Sequence, residues 1–272
     1  MKSFDMTLDD ELSEISVVSL EQAVAAPYCG LLLASAGARV IKVERPEGDF
    51  ARSYDSGIDG KSAIFAWLNR GKESIALNLK NKKDKCILKK IINRSDIFLS
   101  NLTPQALKRL ELDYTNLKSD NPKLIYCKIT GYGESEEAST RKAYDMLVQA
   151  ESGLCSVTGT EESPSKVGIS ITDLSTGLTA FSAILRALIQ RAKTNRGVQI
   201  SISMFDVMAD WMNMPLLAHR FMGGAPKRNG LKHTFIALYC AVTCGDVTLI
   251  LLSIRIVSVF SVVCNKGLEY DS

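Results

Sequence analysis

The sequence predicts an α/β protein: a doubly wound, mostly parallel sheet followed by the start of a smaller α+β domain. Short β-branched runs alternate with segments of helical period, the pattern of a parallel sheet with crossover helices. Loops rich in glycine and charge follow several runs, where such folds place their ligands. The 272 residues, 46% of them apolar, suffice for one large domain and part of another.

Residues 15–20 (ISVVSL) read as a buried strand, 26–37 (APYCGLLLASAG) as a helix with Pro27 in its first turn and Gly37 ending it, and 39–43 (RVIKV) as the next strand. A loop spans 44–61. Then come a strand at 74–79, a helix at 81–94, a strand at 96–100, a short helix at 104–111 and a strand at 124–129. After the loop TGYGESEEASTRK, a helix near 144–153 leads through a turn-rich stretch to KVGISIT. Leu178, Phe181, Ile184, Leu185, Leu188 and Ile189 recur at helical spacing, so a core-facing stripe runs to about Arg191. A strand at 198–203 and a helix at 204–222 close the large domain, 1–222. Gly223, Gly224, Pro226 and Gly230 mark a linker that opens the second segment, 223–272.

In that second segment only Asp246 and Arg255 are charged between Ile236 and Cys264. VTLILLSIRIVSVFSVVC approaches the length of a membrane span, but Arg255 near its middle and the missing basic flanks favour two strands of an incomplete domain. No membrane partner is expected. With 33 Lys+Arg against 30 Asp+Glu the net charge is +3 and the basic residues are dispersed, which also disfavours nucleic acid. The acidic opening MKSFDMTLDDELSE lacks the apolar core of a secretory signal and points to the cytosol. Seven scattered cysteines in mostly apolar settings read as reduced core thiols, and Cys240 with Cys244 lacks a nearby His, so no metal is expected.

Common chemistry motifs are missing: G-x-G-x-x-G after the first strand, G-x4-G-K-[ST], H-E-x-x-H and G-x-S-x-G. Asp173, in GISITDLSTG, falls where the long helix begins. An Asp there accepts hydrogen bonds from free backbone N–H groups, so capping alone explains it. The same donors would hold the carboxylate ionised and oriented, as a carboxylate nucleophile requires. Both readings fit the residue.

The stretches VVSLEQAVAAPYCG, GARVIKVERPEGDFAR, LNRGKESIALNLK, LSNLTPQALKRL, ITGYG, RKAYDMLVQAESGLCSVTG and KVGISITDLSTGLTAFSAIL resemble, in the same order and at similar spacing, the class III (CaiB/BaiF) CoA-transferases. The likeness runs over roughly residues 14–222. It implies a Rossmann-like CoA-binding domain and transfer of CoA from an acyl-CoA donor to a small carboxylic acid, with no tightly bound cofactor and no metal. Carried over by position, the family's nucleophilic aspartate is Asp173, passing through an aspartyl anhydride and an aspartyl-CoA thioester. CoA-contact positions fall on Arg45, Lys72, Arg109 and Lys142, the adenine is bordered by Asn101 and Leu102, and Gln22 lies beside the thioester. The racemase branch of the family carries a histidine where this chain has Tyr144. A phenol is a poor base at neutral pH, which disfavours α-proton abstraction. Tyr144 is therefore expected to pack or to lend a hydroxyl near the thioester, and Asp145 to cap the helix that follows it.

Motif flavour is most similar to the mesaconate, itaconate and citramalate group, with a succinyl donor; Arg52 or Arg70 would then meet the distal carboxylate. The resemblance also implies a homodimer of interlocked chains. Family members run to about 400 residues, so the chain is expected to be truncated within the smaller domain, and an inactive remnant with at most CoA binding is the alternative to an active transferase.

Overall fold

The computed structural model of the chain describes residues 10–232, 239–244 and 247–252. Its contacts group into two compact units: the described residues to Ser152 together with Gly168–Trp211, and Gly153–Val167 together with the described residues from Met212 onward. The sequence placed one boundary after residue 222; the contacts instead set 153–167 and 212–222 with the later residues.

In the first unit, β1 (Ser16–Leu20), α1 (Ala25–Ser35) and β2 (Arg39–Glu44) form the expected opening βαβ unit. After a short 3-10 turn at Phe50–Ser53 come α2 (Ala63–Asn69), β3 (Glu73–Ala76), α3 (Lys82–Ile92), β4 (Ile97–Ser100), α4 (Pro104–Leu110), α5 (Tyr114–Asp120) and β5 (Ile125–Thr130). Then follow α6 (Glu136–Thr140) and α7 (Asp145–Glu151). After α8 (Leu154–Val157), which belongs to the second unit, the first unit resumes with α9 (Ile171–Thr194), β6 (Gln199–Ser203) and α10 (Met204–Trp211).

All six strands are parallel, in the order β3-β2-β1-β4-β5-β6. Val17 stands opposite Val40 on one side and Ile97 on the other, so the register pairs apolar residues across the centre of the sheet. Strands covered by helices on both faces are buried almost throughout, as β1, β4 and β5 are, whereas the edge strand β3 is mostly exposed and β6 alternates with exposed residues. One face packs Val18, Phe98 and Tyr126 against Leu88, Ile92 and Leu107 of α3 and α4. On α9, a Cβ added at Gly177 would lie 2.6 Å from the carbonyl oxygen of Ala25, so this glycine lets α9 approach the start of α1.

The helix expected over 204–222 is two: α10 ends at Trp211 and α11 runs Asn213–Phe221. Pro215 has no N–H to give the carbonyl of Trp211 and its ring obstructs that turn, so the helix restarts with Pro215 inside the new first turn. In the second unit β7 (Tyr239–Cys244) and β8 (Val247–Leu252) pair antiparallel, agreeing with the two-strand reading of this stretch. His233 and the apolar run beyond residue 252 lie outside the described residues. Among the described residues no helix is long and apolar enough to cross a membrane. Cys29 and Cys127 are buried thiols, and burial pushes Cys127 up to about 12.

Candidate active site

The order in which successive strands are added across the sheet reverses between β1 and β4, and a doubly wound sheet opens its ligand crevice at that point, beyond the carboxyl ends of the strands. Gln22 follows β1 and Asn101 follows β4. They are locked together: the Gln22 N–H donates to Asn101 Oδ1 at 3.0 Å, and Asn101 Nδ2 donates to the Gln22 carbonyl at 2.7 Å. Ala23 sits at φ 66°, a left-handed conformation that a residue with a side chain adopts only when its surroundings hold it there. The Asp49 carboxylate supplies part of that restraint by accepting the Ala23 N–H at 3.3 Å.

Two cavities meet at this point and share Gln22 and Leu102. The larger, about 770 Å³, carries Arg45, Lys80, Lys85 and Arg109, a set of cations suited to phosphate groups. Arg45 is held in place by donating from Nε to the Gly48 carbonyl at 2.8 Å. The smaller, about 390 Å³, is bounded by Asn101, Lys142, Tyr144, Tyr54, Asp145 and Asp173. The loop carrying Lys142 and Tyr144 lies close to the end of β5, where a Cβ added at Gly131 would come within 2.1 Å of the Ala143 side chain.

Asp173 therefore reaches a cavity, but it does not cap its own helix. Among the described residues nothing donates a hydrogen bond to its carboxylate. Ser170, the residue at the N-cap, supplies no side-chain cap either. That place is taken from another element: Asp145 Oδ1 accepts the N–H groups of Thr172 at 2.8 Å and of Asp173 at 3.2 Å. Asp145, expected to cap the helix that follows it, is thus the first residue of α7 and caps α9. The amide donors expected to hold Asp173 are thus taken by Asp145, and burial, reinforced by the Asp145 charge, raises the Asp173 carboxyl to about 7. Next to it, burial, with Asp173, Asp49 and Tyr144 behind it, pushes the Tyr54 phenol up to about 12, leaving a protonated hydroxyl in the cavity wall.

Lys72 lies outside both cavities. Its ammonium is buried and donates to Glu21 Oε1 at 2.7 Å and to the Pro27 carbonyl at 2.8 Å. Lys42, buried as well, bonds Asp49 at 2.9 Å and stands 3.7 Å from Glu21. Two carboxylates and two ammoniums so form a compensated cluster under the Gln22–Ala23 turn. Arg52 is engaged too: it forks onto Glu44 at 2.9 and 2.7 Å and stacks 4.0 Å above the Phe65 ring. Although burial opposes it, hydrogen bonds from Arg52, the Asp49 N–H and Ser74 hold the Glu44 carboxyl at about 2. Exposed Arg70 lines neither cavity.

Sequence reasoning missed Lys80 and Lys85, Tyr54, and the capping of α9 by Asp145. The lysines follow β3 as Lys72 precedes it, and only burial tells them apart. Tyr54 lies in the loop at 44–61, where no periodicity marks which side chains turn inward.

The doubly wound α/β unit thus sets a cation-lined crevice at its topological switch point beside a cavity in which Asp173 has no hydrogen-bond donor among the described residues. The model of CoA-transferase family III matches residues 12–268, and the chain belongs to that family. It is 36% identical to an acetyl-CoA:oxalate CoA-transferase from Acetobacter aceti over 81% of this chain and 58% of that protein. Identity is 35% with a succinate–glutarate CoA-transferase from Agrobacterium fabrum, covering 88% and 62%, and 31% with a succinyl-CoA:mesaconate CoA-transferase from Haloarcula marismortui, covering 86% and 62%. A crystal structure of a CaiB/BaiF family protein from Brucella suis superposes with a TM-score of 0.83 at 34% identity, over 89% of this chain and 66% of that one. The chain thus spans roughly three fifths of the curated relatives it matches.

Proposed function

We propose that this chain carries the CoA crevice and the nucleophile of a CoA-transferase that activates a short dicarboxylic acid. The observation that carries the proposal is Asp173: a carboxylate free of hydrogen-bond donors among the described residues, in a cavity that shares Gln22 and Leu102 as walls with the cation-lined crevice. The phosphates of CoA would meet Arg45, Lys80, Lys85 and Arg109, and the pantetheine would pass Gln22, Asn101 and Leu102 toward Lys142 and Tyr144.

Asp173 attacks the thioester carbonyl of the donor, the carbon–sulfur bond breaks, and an aspartyl acyl anhydride and CoA thiolate result. The thiolate then attacks the aspartyl carbonyl, releasing the donor acid with one oxygen taken from Asp173 and leaving an aspartyl-CoA thioester. The acceptor carboxylate displaces the thiolate to form a second anhydride. Attack of the thiolate on the acceptor carbonyl completes transfer and returns Asp173 with one acceptor oxygen. Each bond broken is matched by an activated bond formed, so no nucleotide is consumed.

Oxalate, glutarate and mesaconate, named for the three relatives above, are all dicarboxylic acids, which supports that acceptor class. With Arg52 occupied by Glu44 and Arg141 paired with Glu151, Lys142 is the cation lining the smaller cavity that we assign to a second carboxylate. The assay is succinyl-CoA with glutarate, oxalate or mesaconate, read as new thioester. Transfer present in the wild type and lost in Asp173→Asn supports the reading; CoA binding without transfer by the wild type contradicts it. The reading includes a homodimer, supported by α11, which leaves Met214, Leu217 and Phe221 more than half exposed.

A further inference from the structure

Asp145 is not explained by the chemistry above, yet it is the residue most closely tied to the proposed nucleophile. It stands 28 positions before Asp173, on α7, and crosses to α9. Oδ1 accepts the two leading amides of α9, from Thr172 at 2.8 Å and Asp173 at 3.2 Å. Oδ2 accepts from Gln149 Nε2 at 2.6 Å, and Gln149 is fully buried. The Asp145 carbonyl receives the Thr172 hydroxyl at 3.4 Å. Three contacts to the carboxyl group and one to the backbone carbonyl fix Asp145 against α9, whose own N-cap residue contributes no side-chain cap.

We propose that Asp145 is the positioning residue for Asp173: by occupying the amides at the start of α9, it prevents Asp173 from folding back to cap its own helix and leaves that carboxylate free to attack. A carboxylate in the first turn is otherwise drawn to those N–H groups and to the positive end of the helix, which would orient its lone pairs away from the substrate and weaken it as a nucleophile. Supplying the cap in trans satisfies the helix without using the reactive group. The inference rests on the reading of Asp173 as nucleophile.

The other groups around α9 leave this pairing undisturbed. Of the elements packed against it, α1 brings only Tyr28 and Cys29, β6 nothing that titrates, and β5 Tyr126, Cys127 and Lys128, the last paired with Glu134 at 2.9 Å. Glu151 of α7 pairs with Arg141, and α10 carries Asp206 and Asp210. Tyr54, Tyr144, Lys142 and Arg141 line the same cavity as Asp173. Among these, Asp145 is the charge that bears on Asp173, in the same direction as burial.

The test follows the Asp173 carboxyl carbon by NMR in the full chain labelled with 13C-aspartate, the signal being assigned by its loss in Asp173→Asn. Asp145→Asn keeps an oxygen acceptor for both amides and removes the charge; Asp145→Ala removes both. The Asp173 titration should fall by about one pH unit in the Asn variant, and further in the Ala variant as Asp173 takes over the amides. Transfer from succinyl-CoA to glutarate should stay within about tenfold of wild type in Asp145→Asn and drop about a hundredfold in Asp145→Ala. An Asp173 midpoint in the Ala variant no lower than in the Asn variant overturns the proposal, as do equal losses of transfer in both variants; should Asp145→Ala fail to fold, Asp145→Val, which also lacks the acceptor, is read in the same two ways. Expected titrations with no transfer by any variant would leave Asp145 in this role and count against the transferase reading.

Discussion

Replacing Asp173 by Asn should make the protein more stable at alkaline pH and nearly leave it unchanged in acid. Burial and the Asp145 charge carry the Asp173 carboxyl from an ordinary 3.8 to about 7 in the fold. At about 1.4 kcal/mol for each tenfold change in the proton equilibrium, that displacement corresponds to roughly 4 kcal/mol, and solvent in the cavity lowers the figure to about 2–4 kcal/mol. The sign follows from which state binds the proton more tightly. Here the native state does, so between about pH 4 and pH 7 the unfolded chain releases its proton first and stability falls as pH rises. Glu44, held near 2, acts in the opposite sense: its contribution is present above its ordinary value near 4.5 and is lost as pH falls toward 2. Asparagine at 173 abolishes the first titration alone. Urea unfolding of both proteins at pH 4 and pH 8.5 should give curves within about 1 kcal/mol of each other in acid, with the variant ahead by about 2–4 kcal/mol in alkali. A gap that stays constant across that range would refute the reasoning, because it would mean Asp173 ionises as readily in the fold as outside it.

Other expectations concern the walls of the site. Lys80→Ala and Arg109→Ala should each weaken CoA binding about tenfold or more, as removal of a charge-assisted phosphate contact does, and reduce its salt dependence; calorimetric titration reads both. Lys72→Met should instead leave CoA affinity unchanged and lower stability by about 3 kcal/mol, since it strands Glu21 without its buried partner. In Gly131→Ala the added carbon would meet Ala143 at 2.1 Å and push the loop bearing Lys142 and Tyr144 outward, so transfer should fall about tenfold while urea unfolding shows a loss of about 1–3 kcal/mol.

Much of this architecture was legible in the amino-acid order. The βαβ opening and the parallel sheet follow from periodicity, because each buried face must be apolar at its own repeat. The stripe from Leu178 to Ile189 does not mark the core face of α9: Leu178 and Ile189 are exposed, and the helix buries Ile184 with Gly177, Ala180 and Ala187, small residues that let it pack closely. Asp173 was legible as a carboxylate at the head of a long helix. Its state was not, since the donors expected to hold it are occupied by a residue 28 positions away. Lys72 misled for a related reason: a lysine in a polar stretch looks the same whether it faces solvent or a buried Glu21. The short helices α2, α5 and α6 carry too few turns for a repeat to register, while the break at Met212 is signalled by Pro215 against an apolar pattern that runs on unbroken.

The most direct measurement follows one oxygen. With glutarate labelled with 18O in its carboxylates and succinyl-CoA as donor, turnover through two anhydrides leaves label in the side chain of Asp173, detectable by mass spectrometry of the peptide that contains it. Label in that peptide, absent when the donor is omitted, is the expected result. New glutaryl-CoA formed with no label in Asp173 would contradict covalent carriage by this carboxylate.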